Sequence, residues 1–160
     1  LLDDLKDTSN GKLQKLKNYI NLGGVVWFNA EWWNGNPQGE GCSNQSNINE
    51  ILTLLETEIR ADSDLGYTSM SELSSNTAVQ DSGLPATQTQ DATVIFTGGT
   101  PVYVTSAASS YSPPLSITAY EKIGGGILYV SGDSNTSFNY GYNGFNNEIY
   151  NGLRSLVINS

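Results

Sequence analysis

SITAYEKIGGGILYVSGDSN, residues 116–135, is the stretch whose reading decides the fold. Leu115, Ile117 and Ala119 alternate with Ser116, Thr118 and Tyr120, the period-two pattern of a strand. Gly124 to Gly126 then make a turn, and Ile127 to Val130 is an apolar run with the length and composition of a buried strand. Small polar residues take over abruptly at Ser131-Gly132-Asp133-Ser134-Asn135, as they do where a strand of an open α/β sheet ends on a crevice. Asp133 is therefore expected beside any site. Residues Leu13 to Trp33 repeat the logic: an amphipathic helix, a Gly23-Gly24 break, an apolar strand from Val25 to Phe28, then polar Asn29 and acidic Glu31. Two strand tips carrying carboxylates are the main functional clue.

Working outward, a first helix is expected over Gly11–Leu22, with Leu13, Leu16, Tyr19 and Ile20 on one face and Lys12, Lys15 and Lys17 mostly off it as a solvated face. Gly23 and Gly24 supply the left-handed cap. After strand Val25–Asn29 the run AEWWNGNPQGEGCSNQS is longer than an ordinary connection, and such loops are often functional. Trp32 and Trp33 read either as a stacking platform for sugar rings or a partner's apolar patch, or, more commonly, as a lid on the sheet edge. Asn47 with Glu50 makes a capping-box pattern before a helix over Ile48–Arg60, whose stripe is Ile48, Ile51, Leu52, Leu55 and Ile59. Ala61–Gln90 reads as an irregular excursion with one short strand or turn. Ala92–Phe96 and Pro101–Thr105, flanking Thr97-Gly98-Gly99-Thr100, predict a β-hairpin. A Ser/Ala/Pro loop precedes the opening stretch, and a last helix over Phe145–Val157 follows it.

At 160 residues the chain is read as one domain, 1–160. Its net charge of −9, from 16 acidic and 7 basic residues, disfavours a nucleic-acid backbone or an anionic membrane surface as partner. Charged residues make up 14%, against ~25% in typical soluble domains, and Asn, Ser, Thr, Gly and Tyr take their place, a bias that suits a secreted or particle-surface protein. Cys42 is the one cysteine, so no disulfide forms within the chain. The chain has no histidine, which excludes His-assisted triads, His-ligated zinc and imidazole bases. No apolar run approaches the ~20 residues that span a bilayer, and no signal peptide is visible. The opening Leu-Leu-Asp-Asp lacks an initiator Met, so a processed chain or a fragment is expected. Asp62 and Asp64 suggest a hard cation such as calcium, but the D-x-[DN]-x-[DN]-G series is met neither there nor at Asp133–Gly141. No metal and no cofactor are assigned. The sequons at Asn44 and Asn135 matter only in a eukaryotic source.

Taken together, the helix, Gly-Gly, strand and acidic tip of Leu13–Glu31, the helix at Asn47–Ile59, Gly98-Gly99-Thr100, and GGGILYVSGDSN leading to an Asn-rich loop and a last helix resemble the class I glutamine amidotransferase-like superfamily, particularly its non-catalytic members in bacterial surface and secreted proteins. The resemblance implies an α/β, flavodoxin-like three-layer sandwich with a mainly parallel sheet and β-hairpin additions; such domains usually begin with one or two strands upstream of the helix at Leu13, which here are missing or reduced to Leu1-Leu2. The catalytic members of the superfamily carry a cysteine on a sharp turn after the strand matching Val25–Asn29 and a His-x-Glu pair after a late strand. Here the turn position holds Ala30 and Glu31, and the late position reads Gly132-Asp133-Ser134. Cys42 stands outside the turn, so amide hydrolysis by that mechanism is not expected. A sheet lacking its first strands would be completed by a neighbouring segment or subunit, because an open edge invites pairing.

Three functions follow as expectations. The first is a non-catalytic structural or interaction domain of an extracellular, cell-surface or virion-type assembly, with a protein partner or self-association. The second is a small-ligand or carbohydrate-binding domain, with Trp32 and Trp33 stacking and Asn29, Glu31, Asp133, Ser134 and Asn135 lining the crevice. The third is a hydrolase using Glu31 and Asp133 as an acid/base pair, although an Asp in a Gly-Asp-Ser-Asn turn is more simply an Asx-turn or cap residue.

Overall fold

The computed structural model describes residues 5–7, 9, 11–30, 45–106, 111–132 and 145–159. In chain order its elements are α1 (Lys12–Asn21), β1 (Val25–Asn29), α2 (Gln45–Leu54), β2 (Arg60–Leu73), α3 (Thr77–Gln80), β3 (Thr87–Thr97), β4 (Thr100–Thr105), β5 (Ser116–Ile123), β6 (Gly126–Ser131) and α4 (Phe145–Asn159). The six strands form one sheet in the order β1-β6-β5-β4-β2-β3.

The mainly parallel, flavodoxin-like sandwich is overturned. Only β1 and β6 pair in parallel, while β2 with β3, β2 with β4, β4 with β5 and β5 with β6 are antiparallel. The fold is mixed α/β on a mainly antiparallel sheet. The reason lies in the opening stretch itself: β5 returns as β6 through Gly124 and Gly125, and so short a connection can only join antiparallel strands, a parallel pair needing a crossover of a dozen residues or more.

Helices cover both faces. On one, Leu13, Ile48, Ile51 and Leu52 pack on Leu128, Val130, Val94 and Phe96, joined by half-buried Val26 and Phe28. On the other, Ile149, Leu153 and Leu156 of α4, with Val79 of α3, pack on Ile127, Tyr129, Val102 and Tyr103. β6 is buried at every position, so its run reads as continuous rather than alternating.

α1 ends as predicted. The Gly24 N–H reaches the Tyr19 carbonyl and the Gly23 N–H the Ile20 carbonyl, with Gly23 at φ 100°, which is the Schellman arrangement. The second helix differs from expectation at both ends. It starts at Gln45, so Asn47 is not its cap; the Asn47 side chain accepts instead from Lys6 Nζ at 2.6 Å. It stops at Leu54, where Thr57 N–H reaches Leu52 O and Glu56 takes φ 62°. Ile59, fully buried, reaches the same core from an extended segment, which is why the hydrophobic stripe ran on past the helix.

Ala61–Gln90 is not an irregular excursion. It contains the long strand β2 and the start of β3, paired from Arg60↔Thr97 to Glu72↔Thr87. Register shifts between Ala61 and Ser63 and between Leu65 and Thr68 break the alternation that would have announced a strand. The predicted hairpin of Ala92–Phe96 with Pro101–Thr105 is likewise not formed, because β2 lies between β3 and β4. Gly98 and Gly99 do turn the chain with φ 72° and 62°, but they deliver β4 onto β5, where Thr100 pairs with Tyr120.

Candidate functional site

The two strand tips singled out in the sequence are neighbours: β1 and β6 run side by side in register from Val25↔Ile127 to Asn29↔Ser131. At this end Trp27 Nε1 donates to Ser131 Oγ at 3.1 Å, and Ser131 Oγ donates to Asn29 Oδ1. Ser131 is fully buried, and the Trp27 ring meets Tyr129 edge-on at 5.4 Å between centroids. The Gly132 carbonyl accepts from Val94 N–H at 2.9 Å, tying β3 to the same end. Asn29 is thus the described member of the predicted site, and its side-chain oxygen is engaged by Ser131. Glu31, Trp32, Trp33, Asp133, Ser134 and Asn135, together with Cys42, lie outside the described residues.

Three of the described carboxylates have partners within the fold. Glu121 Oε2 accepts from Glu58 N–H at 2.7 Å, Glu50 pairs with Lys6 at 2.8 Å, and Glu56 pairs with Lys17 at 2.7 Å. The hydrogen bond and charge of Lys17 hold the exposed Glu56 carboxyl below the usual carboxylate range. Among the described residues no three His, Cys, Asp or Glu side chains stand close enough to hold a metal. The strongly perturbed groups are buried tyrosines. Desolvation pushes the Tyr103 hydroxyl far up, helped by Tyr129 and Glu148, and Tyr103 donates to Pro85 O at 2.8 Å. Tyr129 is raised by complete burial; the nearby Thr118 hydroxyl tempers the rise, but its geometry to the Tyr129 hydroxyl falls short of a hydrogen bond. Both tyrosines belong to the buried core under α4.

Away from the strand tips, two depressions flank α1. A groove of about 320 Å³ lies between α1 and the β5–β6 turn, bordered by Lys17, Glu56, Glu121 and Lys122. A second, of about 360 Å³, lies at the amino end of β1 and is lined by Tyr19, Leu22, Val25, Tyr150 and Arg154. Its apolar members are unusually open: Leu22 is 89% exposed, Tyr19 52% and Tyr150 47%. The sequence assigned Tyr19 to the core face of α1. Its ring lies instead against Gly24, where a Cβ would collide with it. The second glycine of the Gly23-Gly24 pair was the available signal, since the cap itself needs only Gly23 at positive φ.

β1 is also an edge. Among the described residues it pairs with β6 alone. In a parallel pair the N–H and C=O of one residue point to the same side, alternating along the strand. The Gly24 carbonyl accepts from Ile127 N–H at 3.0 Å and the Ala30 N–H donates to Ser131 O at 2.7 Å, so Val26 and Phe28 face β6 while the backbone groups of Val25 and Trp27 face outward.

No family model and no curated protein matches the chain. Among solved structures the fold is similar to part of a β-galactosidase from Bacillus circulans sp. alkalophilus, with a TM-score of 0.49 and 15% sequence identity over 87% of this chain. The chain spans 20% of that enzyme's length.

Proposed function

We propose that this chain is a non-catalytic structural or interaction domain of an extracellular, cell-surface or virion-type assembly. The observation that carries the reading is the side of β1 that no described strand covers, bordered by exposed Tyr19, Leu22 and Tyr150. An unpaired strand edge beside exposed apolar side chains is an association surface in chemical terms, offering backbone donors and acceptors together with area to bury. The absence of histidine and of a cysteine at Ala30–Glu31 supports the non-catalytic half of the reading. So does the pairing of Glu50 with Lys6, of Glu56 with Lys17 and of Glu121 with the Glu58 N–H, contacts that tie elements of the fold together.

Two measurements test it. In the isolated domain the Val25 and Trp27 amides should exchange with solvent faster than those of Val26 and Phe28; equal protection of all four would mean the edge is already covered. Against a panel of chromogenic glycosides and amides the chain should give no turnover. Turnover abolished by Asp133→Asn would replace this reading by hydrolysis.

A further inference from the structure

We propose that β1 accepts an extended peptide segment of mixed apolar and acidic sequence as an added strand, seated between α1 and α4. The inference rests on the interaction reading above and gives the partner its chemistry.

Strand addition needs a row of outward backbone groups and pockets for alternate side chains. The outward groups are those of Val25 and Trp27. The pockets follow from the two covered faces of the sheet: a strand laid along β1 turns one set of side chains toward α1 and the alternate set toward α4. At the amino end of β1 these elements present Tyr19 and Leu22 on one side and Tyr150 and Arg154 on the other. Both helices continue the surface at helical spacing, with exposed Lys15 one turn before Tyr19 and exposed Ile158 one turn beyond Arg154. Tyr19 is pre-positioned by its contact with Gly24, so little side-chain freedom remains to be lost on docking.

Charge selects the occupant. The protein carries −9 overall, yet among the described residues the depression is lined by Arg154 and by no carboxylate, and exposed Lys15 stands one helical turn before Tyr19. In an acidic molecule this is a local positive rim, which attracts an acidic segment and repels a basic one. In a second copy of this chain the strand on offer would be β1 itself, Val25–Asn29, which carries no carboxylate to meet this rim.

The test uses a fluorescein-labelled peptide of alternating valine and glutamate, the same peptide with lysine in place of glutamate, and one with a central proline. Fluorescence anisotropy measures affinity, and residue-resolved hydrogen exchange locates binding. The glutamate peptide should bind at least about tenfold more tightly than the lysine peptide, and Lys15→Glu with Arg154→Glu should reverse that preference. On binding, exchange at Val25 and Trp27 should slow by at least about tenfold, while Val26 and Phe28, already bonded to β6, stay unchanged. Leu22→Asp should weaken binding, and the proline peptide should not bind. All three substituted side chains are exposed, so the variants should keep the wild-type circular dichroism. No binding at millimolar peptide, or equal affinity for both charge types, overturns the proposal. So does a concentration-dependent dimer that Leu22→Asp dissolves, or an oligosaccharide that binds at Tyr19 and leaves the Val25 and Trp27 amides exchanging freely. Loss of peptide binding leaves the non-catalytic reading standing; turnover removes that reading without changing peptide affinity.

Discussion

The side-chain amide of Asn49, on α2, meets both backbone groups of Ala61 at the start of β2: its Nδ2 donates to the Ala61 carbonyl at 2.8 Å and its Oδ1 accepts from the Ala61 N–H at 2.8 Å. The amide stands in for a neighbouring strand where a register shift interrupts the ladder and Ala61 is buried. Asn49→Ala leaves a buried donor and a buried acceptor unpaired and should lower the unfolding free energy by about 2–3 kcal/mol. Asn49→Asp keeps the acceptor and should lose about half of that. Urea denaturation checks both; a wild-type midpoint for Asn49→Ala would mean the contact carries no stability.

Lys17 and Glu56 tie α1 to the end of α2 at 2.7 Å. The Glu56 carboxyl is lowered in the folded chain, so its stabilisation is present above the ordinary value of 4.5 and is lost as pH falls through the folded value. Lys17→Gln should therefore melt below wild type at neutral pH, with the gap closing in acid and at about 1 M salt, where the screening length is about 3 Å. Glu56 also holds φ 62°, a left-handed conformation that glycine adopts without steric cost. Glu56→Gly should melt above Glu56→Ala, and calorimetry distinguishes the two.

Tyr103 and Tyr129 give the opposite end of the pH scale. Their hydroxyls are raised above the ordinary value of 10.0, so the stability they confer is complete below pH 10.0 and declines as pH rises beyond it, when the unfolded chain ionises and the folded one does not. In an alkaline titration followed by tyrosinate absorbance, these two should ionise only together with unfolding. Tyr129→Phe removes a buried hydroxyl without a hydrogen-bond partner among the described residues and should be neutral or stabilising. Tyr103→Phe orphans the Pro85 carbonyl and should cost about 1 kcal/mol. Equal losses in the two variants would contradict this account.

Gly126 opens β6 under α1. A Cβ there would run into the Ile20 and Gly24 carbonyls, backbone atoms that cannot swing aside. Gly126→Ala should destabilise by about 1–3 kcal/mol through overpacking, although its φ suits any residue. Gly124, at φ 58°, is the member of the triplet that the turn itself requires. Thermal melts of the two alanine variants test this, since Gly124→Ala meets both strain and the Asn21 side chain.

Much of the local structure could be read from the chain because local signals were consistent. Gly23 caps α1 as expected, the strands expected at Val25–Asn29 and Ile127–Val130 form as Val25–Asn29 and Gly126–Ser131, and α4 buries Ile149, Leu153 and Leu156. β2 was missed because its register shifts scramble the period-two pattern, and α2 was overextended because Ile59 is buried from outside the helix. The edge depression was missed because Tyr19 sits at a core-like spacing, yet its ring turns outward over Gly24.

Composition alone removed histidine chemistry and a disulfide within the chain, since these depend on which groups exist and not on where they are. Helices, tight turns and the apolar strand at Ile127–Val130 were also determined locally, by spacing and by glycine. Strand direction and order were not, because pairing joins residues such as Asn29 and Ser131 that are remote in the chain. Which strand is left at the edge, and which exposed side chains border it, is a property of that pairing and exists only once the chain has folded.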